Sequence, residues 1–483
     1  MEQQTTIFEM LYPTFKIDKP IKLIEMFGGY GSQYLSLKYL GANVEHHKLI
    51  EWASKSIQAY NDIHIQDYTD YSKDLTDDEV LDKLYKMGVS LNYNEPATRE
   101  QLKRQKYRTI YNNIIATDNL VNIQNVKGKD LEIVNTDKYC YILTYSFPCQ
   151  DLSLAGKRQL MSDTSTRSGM LWEVERILSE CKEINQLPQV LLMENVIQVH
   201  GEGAVEDFNK WQLRLEELGY KNYWKDLIAT DYGIPQTRNR CFMVSILGNY
   251  NYTFPKPIPL KLKLKDMLED NVDEKYYLSD KMINYFIHNE KKQKENGNGF
   301  RFNVSDGNTI AKTITTNAGN RMDDNFIGNK ALKETLEQNE IKDTCYIDTY
   351  NKRIDKEKSE TITTGVSFRN NTFLAIKNAT KKGYLKAEVG DGIDISSRME
   401  HHRGTVQKGK TQTLTTSGGG NNGVVMKDLR IRKLTPCECF ALMGVKKEDY
   451  LKCAKNQSDS SLYHLAGDSI VVNVLMAIFK ELL

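Results

Sequence analysis

Three kinds of side chain able to do covalent chemistry stand at the ends of apolar, β-prone runs. Cys149 follows the run 139–147 and Pro148, which stops a strand because it has no ladder N–H and a fixed φ. A thiol opening a loop at the carboxyl end of a buried strand is placed as reactive groups are in open α/β sheets, although a lone cysteine is more often a structural one. Glu194 closes the apolar run 190–193, and a core strand rarely ends in a carboxylate without a partner to satisfy it. Arg238 and Arg240 sit two apart in the segment Gln236-Thr237-Arg238-Asn239-Arg240, ahead of a strand at 241–247; paired arginines are otherwise an exposed ion pair. A thiolate, an acid and planar cations together suit nucleophilic addition, with positive charge or helix N–H groups lowering the thiol's pKa.

These groups need a scaffold. A strand at 21–27 runs into Gly28-Gly29-Tyr30-Gly31-Ser32, and a helical pattern through Leu35, Leu37 and Leu40 follows. Strand, glycine turn and helix form a nucleotide-type unit, in which the backbone approaches a ligand at a helix N-terminus. The spacing is not GxGxxG, which weakens the case for a dinucleotide. A second strand at 48–50 ends in Glu51-Trp52, an acid placed for a ribose diol and an indole for adenine; a solvated Glu and a core Trp are the alternatives. Residues 68–116 then read as a helical insertion. Thr76 with Glu79, and Thr98 with Gln101, form capping boxes, and Gly88 ends the first helix. Its basic run, Arg99, Lys103, Arg104, Lys106 and Arg108, is either a solvated face or a phosphate contact.

The net charge of +1 means that any attraction to nucleic acid comes from local patches. Eight cysteines without a CxxC pair argue against a zinc site or disulfide framework, so no metal is expected. No signal peptide and no uninterrupted apolar run long enough for a bilayer are found, so a cytoplasmic protein with no membrane contact is expected. A stiff Pro255-Lys256-Pro257-Ile258-Pro259 linker marks a boundary. The expected domains are 1–258, 259–427 and a segment 428–483 completing the first. The middle domain carries three near-identical tetrapeptides, TITT at 313–316, TITT at 361–364 and TLTT at 413–416. Each reads as a strand and loop, serving either as scaffold or as a nucleic-acid grip.

Phe147-Pro148-Cys149-Gln150 resembles the nucleophile loop of the cytosine-C5 DNA methyltransferases. Phe27–Gly31 is similar to the F-x-G-x-G motif of S-adenosylmethionine-dependent methyltransferases, Glu194-Asn195-Val196 to the family's E-N-V, and Gln236–Arg240 to its Q-x-R-x-R. Arg432-Lys433-Leu434-Thr435-Pro436 with Glu438 resembles R-x-L-T-P-x-E, and Gly467-Asp468-Ser469-Ile470-Val471 the final G-N-[SA]-V. The motifs run in the family's order, over roughly 20–67, 117–250 and 430–483. Ser146 stands where Gly is common, and Asp468 where Asn is usual. An ionised Asp468 cannot donate a hydrogen bond to the donor's methionine end, but it can accept from the ammonium group.

The resemblance implies an α/β fold: a Rossmann-like methyltransferase domain with a smaller, mainly β and irregular target-recognition domain. It implies methyl transfer from S-adenosyl-L-methionine to C5 of cytosine in double-stranded DNA by a monomer. The base is flipped out and Cys149 adds at C6, with Glu194, Arg238 and Arg240 assisting. Phe27, Gly28, Gly29, Tyr30, Gly31, Glu51, Trp52, Pro148, Asp468 and Ser469 are expected at the donor, with Asp118, or else Asp67, at adenine. Gln150, Ser153, Arg321, Arg369 and Arg403 are expected on DNA. A restriction-modification or phage DNA-protection role follows, with a cognate restriction endonuclease as the possible partner. The competing readings are a tRNA cytosine methyltransferase, a non-catalytic DNA-binding scaffold and, explaining only the glycine turn, a dinucleotide oxidoreductase. The amino-methylating DNA enzymes are disfavoured by the lack of a D-P-P-Y-like tetrapeptide.

Overall fold

The computed structural model describes residues 12–147, 170–328 and 431–483, with short strand segments between 345 and 424. The chain divides into two compact units. The first comprises Met1–Leu268, Ile310–Ala318 and Pro436–Leu483, the second Glu269–Thr309 and Gly319–Thr435. These bounds differ from the expected ones: the proline linker and the first TITT, at 313–316, both lie in the first unit. Burial explains the second difference, because Ala311 and Ile314 are core residues there.

The first unit is built on six strands: β1 (Ile21–Met26), β2 (Val44–Ile50), β3 (Cys140–Tyr145), β4 (Val190–Asn195), β5 (Tyr220–Ile228) and β6 (Asn239–Leu247). Their order is β2-β1-β3-β4-β6-β5. Strands β2, β1, β3 and β4 pair in parallel, and β6 runs antiparallel to both β4 and β5. Every residue of β3 is buried, as suits a central strand covered on both faces. The polar half of β2, Glu45-His46-His47, sits on the edge strand of the sheet, so periodicity alone detects just its apolar end. Strand β5, absent from the expectation, is the other edge, and its Tyr-Lys-Asn-Tyr-Trp-Lys run is only partly buried.

The helices of this unit are α1 (Ser32–Tyr39), α2 (Ser54–Tyr60), α3 (Asp77–Met87), α4 (Arg99–Lys103), α5 (Tyr107–Ala116), α6 (Leu171–Glu183) and α7 (Val205–Leu218). Ile24 and Met26 face a core shared with Leu171, Val174 and Ile177 of α6 and with Phe208 and Trp211 of α7. The alternate residue Glu25 points to the opposite face and accepts hydrogen bonds from the Tyr34 N–H of α1 and the Tyr60 hydroxyl of α2. The insertion forms its own core from Val80, Leu81, Leu84, Leu102 and Ile114, against which Trp52 packs. Both capping boxes are present, and Gly88 takes the left-handed cap at φ 75°. Two cations of its basic run are held internally: Arg99 by Asp78 and Asp82, and Arg108 by Asp77.

In the second unit, α8 (Asp280–Glu295) packs Phe286 against Phe302 and Phe326 over a three-stranded sheet, and small antiparallel sheets lie between 345 and 424. The chain returns to the first unit with α9 (Pro436–Leu442), α10 (Lys447–Ala454), α11 (Asp459–Asp468) and α12 (Val472–Leu482), and α12 packs on α1. The stretch Asp459–Leu482 is long and apolar enough to cross a bilayer, but it is two helices, and 72% of its apolar window is buried.

Burial pushes the Glu25 carboxyl up to about 7, against the two hydrogen bonds that lower it. Its folded-state pKa therefore lies above the ordinary 4.5, so stability from this group is complete below pH 4.5 and lost as pH rises through about 7. Glu25→Gln keeps the contacts, since the Tyr60 hydroxyl can turn to His46 Nδ1, 2.9 Å away. The variant is expected to exceed the native chain at pH 8 by roughly 2–3 kcal/mol in urea unfolding, with most of the gain gone at pH 5. An equal difference at both pH values would contradict this.

Candidate active site

The carboxyl edge of the sheet assembles the site. Met26 pairs with Ile50 and Tyr145, and Tyr145 with Met193. The residues that follow, Phe27, Glu51, Ser146 and Glu194, therefore emerge side by side. At this edge β1 lies between β2 and β3, where the chain changes direction across the sheet, the usual ligand crevice of open α/β folds.

The half of the site where the resemblance places the methyl donor is a cradle of backbone. Gly31 has φ 81° and caps α1; a Cβ there would lie 2.5 Å from His64 Nε2. A Cβ on Gly28 would meet Leu49 Cδ1 at 2.5 Å, so Gly31 requires glycine by its φ, and a side chain at Gly28 would have to displace Leu49. The Glu51 carboxylate accepts from Gly29 N at 3.0 Å and from Ala53 N at 2.8 Å. Burial raises its pKa to about 7; the backbone N–H groups oppose the rise, and the charge of Asp468 adds to it. Glu51 itself is held by Asn119, a buried residue not anticipated from sequence. Its Oδ1 accepts from Glu51 N and Val121 N, and its Nδ2 donates to Glu51 O at 2.9 Å. The signal for it was a short polar side chain directly after Asp118.

Asp118, expected at adenine, instead binds Lys48 Nζ at 2.8 Å, and its side chain is 58% exposed. Asp67 accepts from the Tyr71 hydroxyl and Thr69 N on the surface. The far wall is the C-terminal segment. The Tyr30 hydroxyl bonds Ser469 Oγ at 2.8 Å, and its ring stacks on Phe440 of α9. Gly467 admits the backbone of Thr315 and Thr316, which a Cβ would strike at 2.3 Å.

At the chemical end, Glu194 is buried. Ser146 Oγ donates to its Oε2 at 2.6 Å, and Arg240 Nε lies 3.2 Å from its Oε1. That pair is not aligned as a hydrogen bond, so Oε1 keeps acceptor capacity. Asn195 Nδ2 donates to the Phe147 carbonyl at 3.0 Å, fixing the chain two residues before Cys149. Pro148, Cys149, Gln150 and Ser153 lie outside the described residues, as do Arg369 and Arg403.

Arg238, expected beside Arg240, has other partners. It is buried, with Nη2 donating to Ser469 O at 2.7 Å and Nη1 to Ile314 O at 3.3 Å. Separated from Arg240 by one residue, it holds the backbone at Ser469 and Ile314 while Arg240 lies beside Glu194. Gln236, named only within its motif, joins the same seam, donating to Leu442 O and accepting from Ile314 N. Arg321, in the second unit, is exposed and paired with Asp323 at 3.3 Å.

The family model for C-5 cytosine-specific DNA methylase matches residues 99–483. The type II methyltransferase M2.ScrFI of Lactococcus lactis subsp. cremoris is 38% identical over 270 residues, covering 54% of this chain and 71% of that protein. The orphan methyltransferase M.SssI of Spiroplasma monobiae is 35% identical over 286 residues, covering 58% and 72%. In fold, the chain is similar to the S. pombe Dnmt2 methyltransferase structure, with TM-score 0.53 and 15% identity over 95% of this chain and 98% of that one.

The resemblance places a cationic donor beside Glu51, whose pKa is raised by burial and, in smaller part, by repulsion from the charge of Asp468. A positive donor relieves that repulsion and favours the Glu51 carboxylate, so its binding releases a proton. Calorimetry of S-adenosylmethionine binding is expected to show affinity falling roughly five- to tenfold from pH 7.5 to 6. Glu51→Gln is expected to flatten the profile. A native profile independent of pH would remove Glu51 from donor binding.

Proposed function

The chain belongs to the C-5 cytosine-specific DNA methylase family, and we propose that it methylates cytosine at C5 in a specific double-stranded sequence by base flipping and covalent addition of Cys149. The methyl donor of this chemistry is S-adenosyl-L-methionine, which supplies an electrophilic methyl group on a sulfonium. The observation that carries the reading is the common carboxyl edge on which Glu194, Arg240 and the anchored Phe147 carbonyl meet beside the glycine cradle.

C5 of cytosine is a weak nucleophile. Addition of the Cys149 thiolate at C6 forms the C–S bond and moves an electron pair to N3, leaving an enamine whose C5 can take the methyl group. Glu194 faces the developing charge at N3 through a proton or hydrogen bond, and Arg240 orients that carboxyl. Loss of the C5 proton to water and cleavage of the C–S bond then restore the ring and release Cys149 as the thiolate. Gly28, Gly29 and Gly31 with Tyr30, Glu51, Trp52 and Ser469 hold the donor. Arg238 acts as a positioning residue that ties Ser469 to the sheet. Reaching C5 requires the base to leave the stack. We assign the protein a cytoplasmic place in restriction-modification or phage DNA protection, acting as a monomer with a cognate endonuclease as its functional counterpart.

The reading is tested by a duplex carrying 5-fluorocytosine at the target, because fluorine cannot leave as a cation. With the methyl donor, the native chain is expected to trap a covalent protein–DNA adduct, and Cys149→Ala to abolish it while retaining donor binding. An adduct of undiminished yield in Cys149→Ala excludes this thiol.

The second unit is the proposed DNA reader, with Arg321, Arg369 and Arg403 as base-contacting side chains. Each lost bidentate contact is worth roughly 1–3 kcal/mol of discrimination. Alanine at each position is expected to relax the methylated motif on random-sequence DNA and to leave donor affinity unchanged. An unaltered motif at unaltered rate in all three variants makes these arginines structural.

A further inference from the structure

Ser146 stands between two anchors. Tyr145, which ends β3, pairs with Met193 of β4, and Asn195 Nδ2 donates to the Phe147 carbonyl at 3.0 Å. Strand β4 thus grips the chain immediately before and immediately after Ser146. Glu194 lies between the two gripping residues, and its side chain meets the Ser146 hydroxyl. That hydroxyl donates to Oε2 at 2.6 Å, a short bond of the kind an O–H makes to a carboxylate. Ser146 also stands where the sequence resemblance expects glycine, which has no side-chain donor to offer.

The two oxygens of Glu194 are consequently unlike. Oε2 is held as an acceptor by the serine. Oε1 has Arg240 Nε 3.2 Å away, but that N–H is not aligned on it, and among the described residues no hydrogen bond reaches it. The side chain is only 6% exposed, so bulk water does not even out the difference. A carboxyl that carries one proton donates from one oxygen and accepts at the other. A proton on Oε2 would force the Ser146 hydroxyl to turn away from its acceptor, whereas a proton on Oε1 leaves that bond in place.

We infer that Ser146 is a positioning residue for the methyl transfer: by occupying Oε2, its hydroxyl holds the Glu194 carboxyl so that Oε1 carries the proton offered to cytosine N3. The inference rests on the reading of Glu194 as the group that faces N3, and it assigns each oxygen its task. As the Cys149 sulfur bonds to C6 and the electron pair moves to N3, the proton on Oε1 passes to N3 and leaves a carboxylate. The Ser146 hydroxyl and the Arg240 guanidinium hold that charge. When the C–S bond breaks, N3 returns the proton to Oε1, the ring double bonds are restored and the thiolate leaves. Ser146 acts through Glu194 and forms no bond in the reaction itself.

The test measures the single-turnover rate of adduct formation by the full chain on the 5-fluorocytosine duplex with the methyl donor, alongside calorimetry of S-adenosylhomocysteine binding. Ser146→Ala is expected to slow adduct formation roughly ten- to a hundredfold, as loss of a hydrogen bond to a charged group does, with S-adenosylhomocysteine affinity unchanged. Ser146→Thr keeps the hydroxyl and is expected to stay within about threefold of the native rate. In a Glu194→Ala background, Ser146→Ala is expected to change the remaining rate by less than about twofold, because the hydroxyl then has no carboxyl to hold. A native rate in Ser146→Ala beside a slow Glu194→Ala would overturn the inference and leave the reading of Glu194 intact. So would an equal loss from Ser146→Ala with and without the Glu194 carboxyl, or a loss matched by weaker S-adenosylhomocysteine binding. A native rate in Glu194→Ala, or no adduct from the native chain, would overturn both.

Discussion

Met26 pairs with Ile50 on one side and Tyr145 on the other, and the site depends on that two-sided register. A parallel ladder brings strand ends to the same edge, so residues distant in the chain leave the sheet together. A slip of one residue would turn Glu51 and Glu194 to opposite faces and separate the thiol loop from both. The register is set by burial. Ile24, Met26, Leu143, Tyr145, Leu191 and Met193 all fill one core, and a slip of one residue would turn the slipped strand's members of that set away from it.

The carboxylates at that edge work against the stability of the fold. Glu51 is buried with its pKa near 7, and Asp468 adds negative charge to its surroundings. Such an arrangement is unfavourable for the ionised carboxyl in the folded protein. Asn119 keeps this tolerable by satisfying the backbone of Glu51 on both sides. Glu194 follows another course: Ser146 and Arg240 engage it while one oxygen retains acceptor capacity.

The first unit is closed by segments far apart in sequence. Gln236 joins Ile314 to Leu442, and Arg238 joins Ile314 to Ser469. The Ile310–Ala318 segment, embedded in the middle of the chain, is thus part of the catalytic core. Gly467 permits the contact, since any side chain there would strike the backbone at Thr315. Two arginines with one motif between them consequently do different work, Arg240 at the acid and Arg238 at the seam.

The sequence by itself determined the local elements and the identity of the chemistry. The Thr76 and Thr98 caps, the glycine turn, the buried run of β3 and the acids ending β2 and β4 are all decided by neighbours within a few residues, which periodicity and capping rules can read. Edge strands escaped this reading: β5 entirely and β2 in its polar half, because one-sided pairing relaxes the hydrophobic pattern. What tertiary structure alone decided were the partners of polar groups. Asp118 turned to Lys48, Asn119 became the clamp on Glu51, Arg238 reached Ser469, and Tyr93 met His464 across hundreds of residues of chain. A side chain's type states which bonds it can make; which one it makes is set by the groups that packing brings within about 3 Å, and those lie anywhere in the sequence.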